Sequence, residues 1–373
     1  MFRKHTLIGV SAVAALSLGL AGCSGTAEAS DSVAATATSV ADFGSFAELE
    51  AAAKAEGQLN VIALPRDWAN YGEILDAFAA KYPEITINEA SPDASSAEEI
   101  KAAQDLAGQD TAPDVFDMGL AVTLANTDQF APYKVQTWDD IPDALKEANG
   151  LWVGDYGGYM AIGYDPDAVP APTSLEDLLG DEYRGKVAIN GDPTQAGAAF
   201  AAVGLATVQN GGTLDDFQAG IDFFSELNAA GNFLKIDVTN PAIASGEVSV
   251  TFDWDYLQLS AKNSLEGQRY WEIVGLPGTG YAGYYNQAII VDAPHPAAAR
   301  LWQEFLYSDE AQNMWLKGGA RPVRADAMAA AGTIDEALWN ALPETPETTV
   351  VPTAAQSEAA GVLLGEMWAA AVQ

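Results

Sequence analysis

The sequence predicts an α/β protein of two domains in which mostly parallel strands are covered by helices. Two observations carry that expectation. Apolar strand-like runs alternate with amphipathic helical stretches through the body of the chain, the order expected of βαβ units. The chain has 373 residues, and the part beyond residue 45 is long enough for two domains of ordinary size.

Taken in order, "QLNVIAL" at 58–64 reads as a buried strand, and "YGEILDAFAAKY" places Ile74, Leu75, Phe78 and Tyr82 at helical spacing. "EITINEA" is a strand, "SAEEIKAAQDLAG" a helix ended by Gly108, and "APDVFDMG" a strand with a turn. A second cycle runs from "GKVAING" and "DPTQAGAAFAAVGLATV" through "LDDFQAGIDFFSELNAAG" to the strand in "SGEVSVTFDWDYLQL" at 245–259. On that strand Val248, Val250, Phe252, Trp254 and Tyr256 share one face, and Ser249, Thr251, Asp253 and Asp255 the other. Alternation therefore puts Asp253 on an outer, solvated face, while Asp255 lies just past the regular strand. The tail, from "HPAAARLWQEFLYSDEAQNMWLKGG" onward, reads as helical.

The N-terminus predicts export. "MFRKHTLIGVSAVAALSLGLAGC" has a basic start at Arg3 and Lys4, an apolar run too short to span a bilayer comfortably, and small residues before Cys23. Residues 1–22 read as a lipoprotein signal peptide. Cys23, the single cysteine, reads as the lipidated first residue of the mature protein. Residues 23–45 read as a flexible tether, being small and polar up to Phe43. The body is expected to be soluble and held to the membrane through the lipid on Cys23.

A net charge of −35 excludes most nucleic-acid partners and favours cations near the surface. Once the signal is removed His295 is the sole histidine, and the prolines beside it suit a helix start better than general-base chemistry. Neither a Gly-x-Ser-x-Gly elbow nor a phosphate-binding loop is present. "GLPGTGYAG" at 275–283 lacks the lysine of such a loop and reads as a turn. No cofactor or metal is called for. An extracellular hydrolase stays open as the reading of another class, since two catalytic acids could hide among 52.

The motifs together resemble a known family. The lipobox, "LNVIALPRDWANYGEILDAFAAKYPEITI", "PDVFDMG", "YGGYMAIGYDPDAV", "EYRGKVAINGD", "SGEVSVTFDWDY" and "AIIVDAPHPAAARLWQEFLYSDEAQ" look like extracellular solute-binding proteins of ABC importers with the type II two-lobed fold. The resemblance implies lobe 1 at 46–160 and 282–325, lobe 2 at 161–281, C-terminal helices at 326–373, and two hinge crossovers near "DYGGYMAIGYD" and "GTGYAGYY". It also implies a monomer in the cell envelope, lipid-anchored at the outer face of the cytoplasmic membrane or on the periplasmic side, that delivers a small solute to a separate permease and ATPase.

Several loops are similar to those of the polyamine binders. "RDWANY" supplies Trp68 and Tyr71, "INGDPTQ" keeps Asp192 but has Gln195 where that branch has a glutamate, Trp254 matches a strand-end tryptophan, and a Trp-x-Asp becomes Tyr284-Tyr285-Asn286. The implied ligand set is Trp68, Tyr71, Asp192, Gln195, Trp254, Asp255, Tyr284 and Asn286. With two acids replaced by amides, a small cation or amine fits this set better than a long polyamine. Each aromatic ring would contribute roughly 0.5–2 kcal/mol to holding a cation. Ferric ion on Tyr284-Tyr285, and a thiamine- or phosphonate-type ligand at a helix starting near Asp192, are the alternatives. Adjacent strand residues point to opposite faces, which weakens the first, and Asp192 would repel the anion of the second.

Overall fold

The computed structural model describes residues 33–236, 238–343 and 345–373; the signal and Cys23 lie outside the described residues. Eleven strands are present among the described residues: β1 (Gln58–Ile62), β2 (Thr86–Ala90), β3 (Val115–Gly119), β4 (Phe130–Ala131), β5 (Val153–Tyr164), β6 (Val187–Ile189), β7 (Val250–Trp254), β8 (Glu272–Val274), β9 (Thr279–Ile290), β10 (Arg321–Pro322) and β11 (Thr348–Val350). β1 and β2 pair in parallel, with Gln58 opposite Thr86. A parallel pair needs a crossover, and the helix Tyr71–Lys81 supplies it, burying Tyr71, Ile74, Leu75 and Phe78 as their spacing requires.

The other nine strands form one curled, mixed sheet. β5 and β9 organise it. The first half of β5 lies antiparallel to β9, and its last residues lie antiparallel to β7, Met160 facing Trp254. β9 begins beside β11 and ends beside β3 and β4. The two long strands thus belong to both lobes, and they coincide with the two expected crossovers. They also explain why the sheet is not mostly parallel. The pairs β1–β2, β6–β7 and β9–β11 are parallel, but strands that run from lobe to lobe side by side are antiparallel to each other and to most neighbours. Where they run closest, a Cβ on Gly157 would collide with the Gly283 carbonyl, so glycine is required there.

Three local expectations are corrected. Residues 33–45 are not a free tether. Ala34 and Ala37 are buried, Arg300 Nε donates to the Ala37 carbonyl at 2.8 Å, and Val40–Phe43 is a helical turn. Small side chains bury little area by themselves, but here they are roofed by the helix Pro296–Leu306. The strand in "TFDWDY" stops at Trp254, and Asp255–Ser264 is a helix, which ends the alternation one residue before Asp255. The C-terminal region holds β11 as well as helices, and its last helix, Ala354–Ala371, sets Trp368 against Phe224 with ring centres 5.6 Å apart.

Candidate functional site

A cleft of about 840 Å³ lies between the lobes. One wall is the loop after β1, with Ala63, Pro65, Asp67 and Trp68, joined by residues 92–96 and by Glu98 and Glu99. The opposite wall is the turn after β6, the helix Asn240–Ser245, the end of β7 at Asp253, and the helix behind it. Asp117 of β3 and Tyr285 of β9 also line it.

The loop after β1 is held in an unusual backbone. Ala63, Ala69 and Asn70 have φ of 56°, 45° and 67°, a left-handed conformation that costs non-glycine residues of order 1–3 kcal/mol each. The Asn70 side chain offsets part of that by donating to the Met314 carbonyl at 2.9 Å. The outcome is the placement of Trp68, half-buried, with Nε1 donating to Tyr156 Oη at 2.8 Å and its ring edge-on to Tyr285 at 5.5 Å.

Asp67, Asp93, Glu98, Glu99, Asp117, Asp192 and Asp253 all line this cleft, and no lysine, arginine or histidine does so among the described residues. Three of these acids are buried. Asp117 Oδ2 accepts from the hydroxyls of Tyr71 and Tyr156, each at 2.9 Å, while its Oδ1 is buried without a hydrogen-bond partner. Burial pushes its carboxyl up to about 7, against the pull of Tyr156, Tyr71 and Gln287. Asp253 is likewise pushed up by burial to about 7, although the Trp254 amide and Asn190 favour its ionised form. Glu99 is driven well above the carboxylate range by burial and then by the Asp117 charge.

The structure redistributes the eight residues of the sequence-based set. Trp68, Asp192 and Gln195 line the cleft. Asp192 is exposed and closes a turn, its Oδ1 accepting from Thr194 N at 2.8 Å. The helix begins only at Gly197, so Asp192 is not at its start. Tyr71 is fully buried behind Asp117 and reaches the cleft only through that carboxylate. Asp255 is buried in an ion pair with Arg321 and does not line the cleft. Trp254, Tyr284 and Asn286 line a second cavity, of about 820 Å³; the two share Gln195, Ala196, Gly197 and Tyr285 as walls. Tyr284 and Tyr285 both line that second cavity, but no cluster of three or more His, Cys, Asp or Glu side chains suited to a metal occurs among the described residues.

The roles of the two aspartates around Trp254 are thus exchanged: Asp253 faces the cleft and Asp255 does not. Sequence reasoning placed Asp253 on an outer face, weighed Tyr285 only as a ferric-ion ligand, and missed Asp117 and Glu99. For Asp117 a signal was present, because an acid inside the apolar run "PDVFDMG" is costly to bury unless it has partners or a purpose.

A family model described as bacterial extracellular solute-binding protein matches residues 110–345. A comparison with curated protein sequences yields no match. Among solved structures, the chain is similar to the periplasmic binding protein AfuA from Actinobacillus pleuropneumoniae with exogenous fructose-6-phosphate bound, with a TM-score of 0.66 at 16% identity over 84% of this chain and 97% of that one. It is also similar to iron-bound HitA from Pseudomonas aeruginosa, with a TM-score of 0.59 at 20% identity over 83% and 98%. An ABC transporter substrate-binding protein from Bradyrhizobium japonicum USDA 110 gives 0.64 at 19% over 85% and 100%. At such identities the likeness speaks to fold, and that fold is the two-lobed one with paired crossover strands. With the family model covering well over half of its length, this chain belongs to the bacterial extracellular solute-binding proteins.

Proposed function

We propose that this protein is the lipid-anchored binding component of an ABC importer and that it captures a small cationic solute, an amine or a compact polyamine-like molecule, by closing its lobes. The observation that carries the cationic reading is the lining of the cleft: seven carboxyl side chains around Trp68 and no basic residue among the described ones. An ammonium there gains charge-assisted hydrogen bonds and a cation–π contact with Trp68. Micromolar affinity needs about −8 kcal/mol, within reach of two or three such contacts plus apolar burial. A phosphorylated or phosphonate solute would meet repulsion from the same acids.

Lobe closure is supported by contacts across the rim. Asn240 Nδ2 donates to Asp67 Oδ2 at 2.7 Å and Ser260 Oγ to the Asp67 carbonyl at 3.2 Å, tying the loop after β1 to two helices of the other lobe. Energy for transport comes from a separate permease and ATPase, which are the partners proposed here. The family consists of solute-binding proteins and not of enzymes, in line with the absence of a nucleophile–base constellation in the sequence.

A thermal-shift screen of the purified protein tests the reading, because a ligand that binds the native state alone raises Tm with concentration over Kd. Putrescine, agmatine, L-arginine or choline is expected to raise Tm, and ferric citrate, thiamine phosphate and phosphonates are not. A shift with an anion or ferric citrate alone would replace the cationic reading.

A further inference from the structure

We propose that solute capture is coupled to proton release: the cationic head settles between Asp117 of one lobe and Asp253 of the other, and each carboxyl gives its proton to solvent as the cation takes its place. The inference rests on the cationic-solute reading and goes beyond it by naming the anchoring pair and the ion exchanged.

Asp117 and Asp253 both line the cleft and are both nearly closed off from solvent. Asp117 Oδ1 has no partner, so the site contains a buried acceptor with nothing to accept from. Asp253 Oδ2 has only the Asn190 amide, at 3.0 Å. Asp117 at β3 and Asp253 at the end of β7 line the same cleft, with Tyr285 in the wall beside them. A single compact cationic group suits that arrangement.

The groups facing the pair are acids, phenols and amides. Around Asp117 they are Tyr71, Glu99, Asp155, Tyr156, Gln287 and Tyr307, together with Tyr256 and Tyr285. Around Asp253 they are Asn190, Tyr256 and Tyr285. None is cationic. A buried carboxyl without a counter-charge is favoured in its neutral form, and an opposite charge within ~4–6 Å reverses that preference. Burial has already brought both groups to about 7, so each is poised to lose its proton near neutrality. Glu99 and Asp155 are held well above the carboxylate range by burial and then by the Asp117 charge.

The linkage has a definite direction. The solute prefers the ionised carboxyls, the ionised fraction grows as pH rises through 7, and affinity therefore rises with pH. Between pH 6 and pH 8 the gain is about tenfold for one carboxyl and about a hundredfold for two. Titration calorimetry with putrescine, agmatine, L-arginine and choline, each keeping its cationic charge over this range, reads both quantities at pH 6, 7 and 8 in phosphate and in Tris. The expected result is a Kd that tightens about a hundredfold from pH 6 to 8. At pH 7 the heat should differ between the two buffers as the release of about one proton demands. Asp253→Asn, which cannot ionise, should reduce the pH response to about tenfold; Asp117→Asn serves the same purpose should the first variant fail to fold. A cation that binds with a pH-independent Kd and buffer-independent heat overturns the coupling while leaving the cationic reading intact. Binding by none of the four at any pH overturns both.

Discussion

Arg321 Nη1 lies 2.6 Å from Asp255 Oδ2, and both side chains are buried where β10 meets the helix after β7. The guanidinium also covers the Tyr159 ring at 4.5 Å, and Asp255 Oδ1 accepts from the Tyr159 amide at 3.1 Å. One ion pair therefore fastens the start of a lobe-2 helix to the crossover strand β5. Removing one partner leaves the other buried and unpaired, so Asp255→Asn or Arg321→Met should cost about 3–5 kcal/mol of stability. Chemical denaturation measures it. Because Asp255 is outside the cleft, the folded fraction should bind solute with nearly wild-type affinity; a large loss of affinity would return Asp255 to the binding site.

The two tryptophans of the sequence-based pair should behave oppositely. Trp254 is buried and stacks with Tyr256, ring centres 6.3 Å apart, so Trp254→Ala should destabilise by about 3–5 kcal/mol with little change in affinity. Trp68 is half-buried at the cleft. Trp68→Ala should lose about 0.5–2 kcal/mol of binding, roughly two- to thirtyfold in Kd, at a smaller cost in stability. Parallel melting curves and calorimetry on both variants distinguish the cases, and the reverse pattern would place the solute in the second cavity.

The rim contact gives a kinetic expectation. Asp67→Ala removes the carboxylate that accepts from Asn240 across the lobes, an exposed interaction worth about 0.5–1.5 kcal/mol. Dissociation should accelerate about two- to tenfold in stopped-flow fluorescence while Tm barely moves. An unchanged rate would show that this contact does not hold the lobes together.

Stability should fall as pH rises from mildly acidic to neutral. Burial pushes Glu56 to about 7 against the Ala297 and Ala298 amides it accepts from, and burial likewise pushes Glu304 to about 7. A carboxyl with a raised folded pKa favours the fold while protonated, so that contribution is lost as pH climbs from about 4.5 towards 7. His295 adds to the trend. Desolvation lowers its pKa, but the Asp114 carboxylate, 3.0 Å from Nδ1, outweighs that and raises it. Its contribution is complete below about 6.5 and is lost as pH passes the raised value. Tm is therefore expected to be higher at pH 5 than at pH 8, and Glu56→Gln should flatten the slope. A Tm that rises from pH 5 to 8 would contradict this account.

Mass spectrometry of the protein from its native membrane should find lipid on Cys23 and no residues before it. Cys23→Ala should yield an unlipidated chain that retains its precursor sequence. An unmodified Cys23 in the wild type would remove the anchor from the proposed function.

Much of the architecture was determined by the sequence alone because it depends on local periodicity. Ile74, Leu75 and Phe78 could only be a buried helical stripe, and "QLNVI" only a buried strand. Closely spaced glycines marked the crossover segments; that a side chain at Gly157 would run into the Gly283 carbonyl, and one at Gly283 into the Trp254 ring, is visible only in the structure. Trp68 was named through the resemblance of "RDWANY" to a loop of the polyamine binders, and the structure sets it in the wall of the cleft. Tertiary structure alone decided which acids meet in the cleft. Strand alternation assigns Asp253 and Asp255 to one face, but it cannot say whether that face meets solvent or another lobe, nor that the strand ends at Trp254 and hands Asp255 to a helix. Asp117 and Asp253 are 136 positions apart in the sequence, and they face one region because β5 and β9 carry the chain between lobes and bring the ends of β3 and β7 to a common cleft. That juxtaposition belongs to the packing of the sheet, which no local pattern encodes.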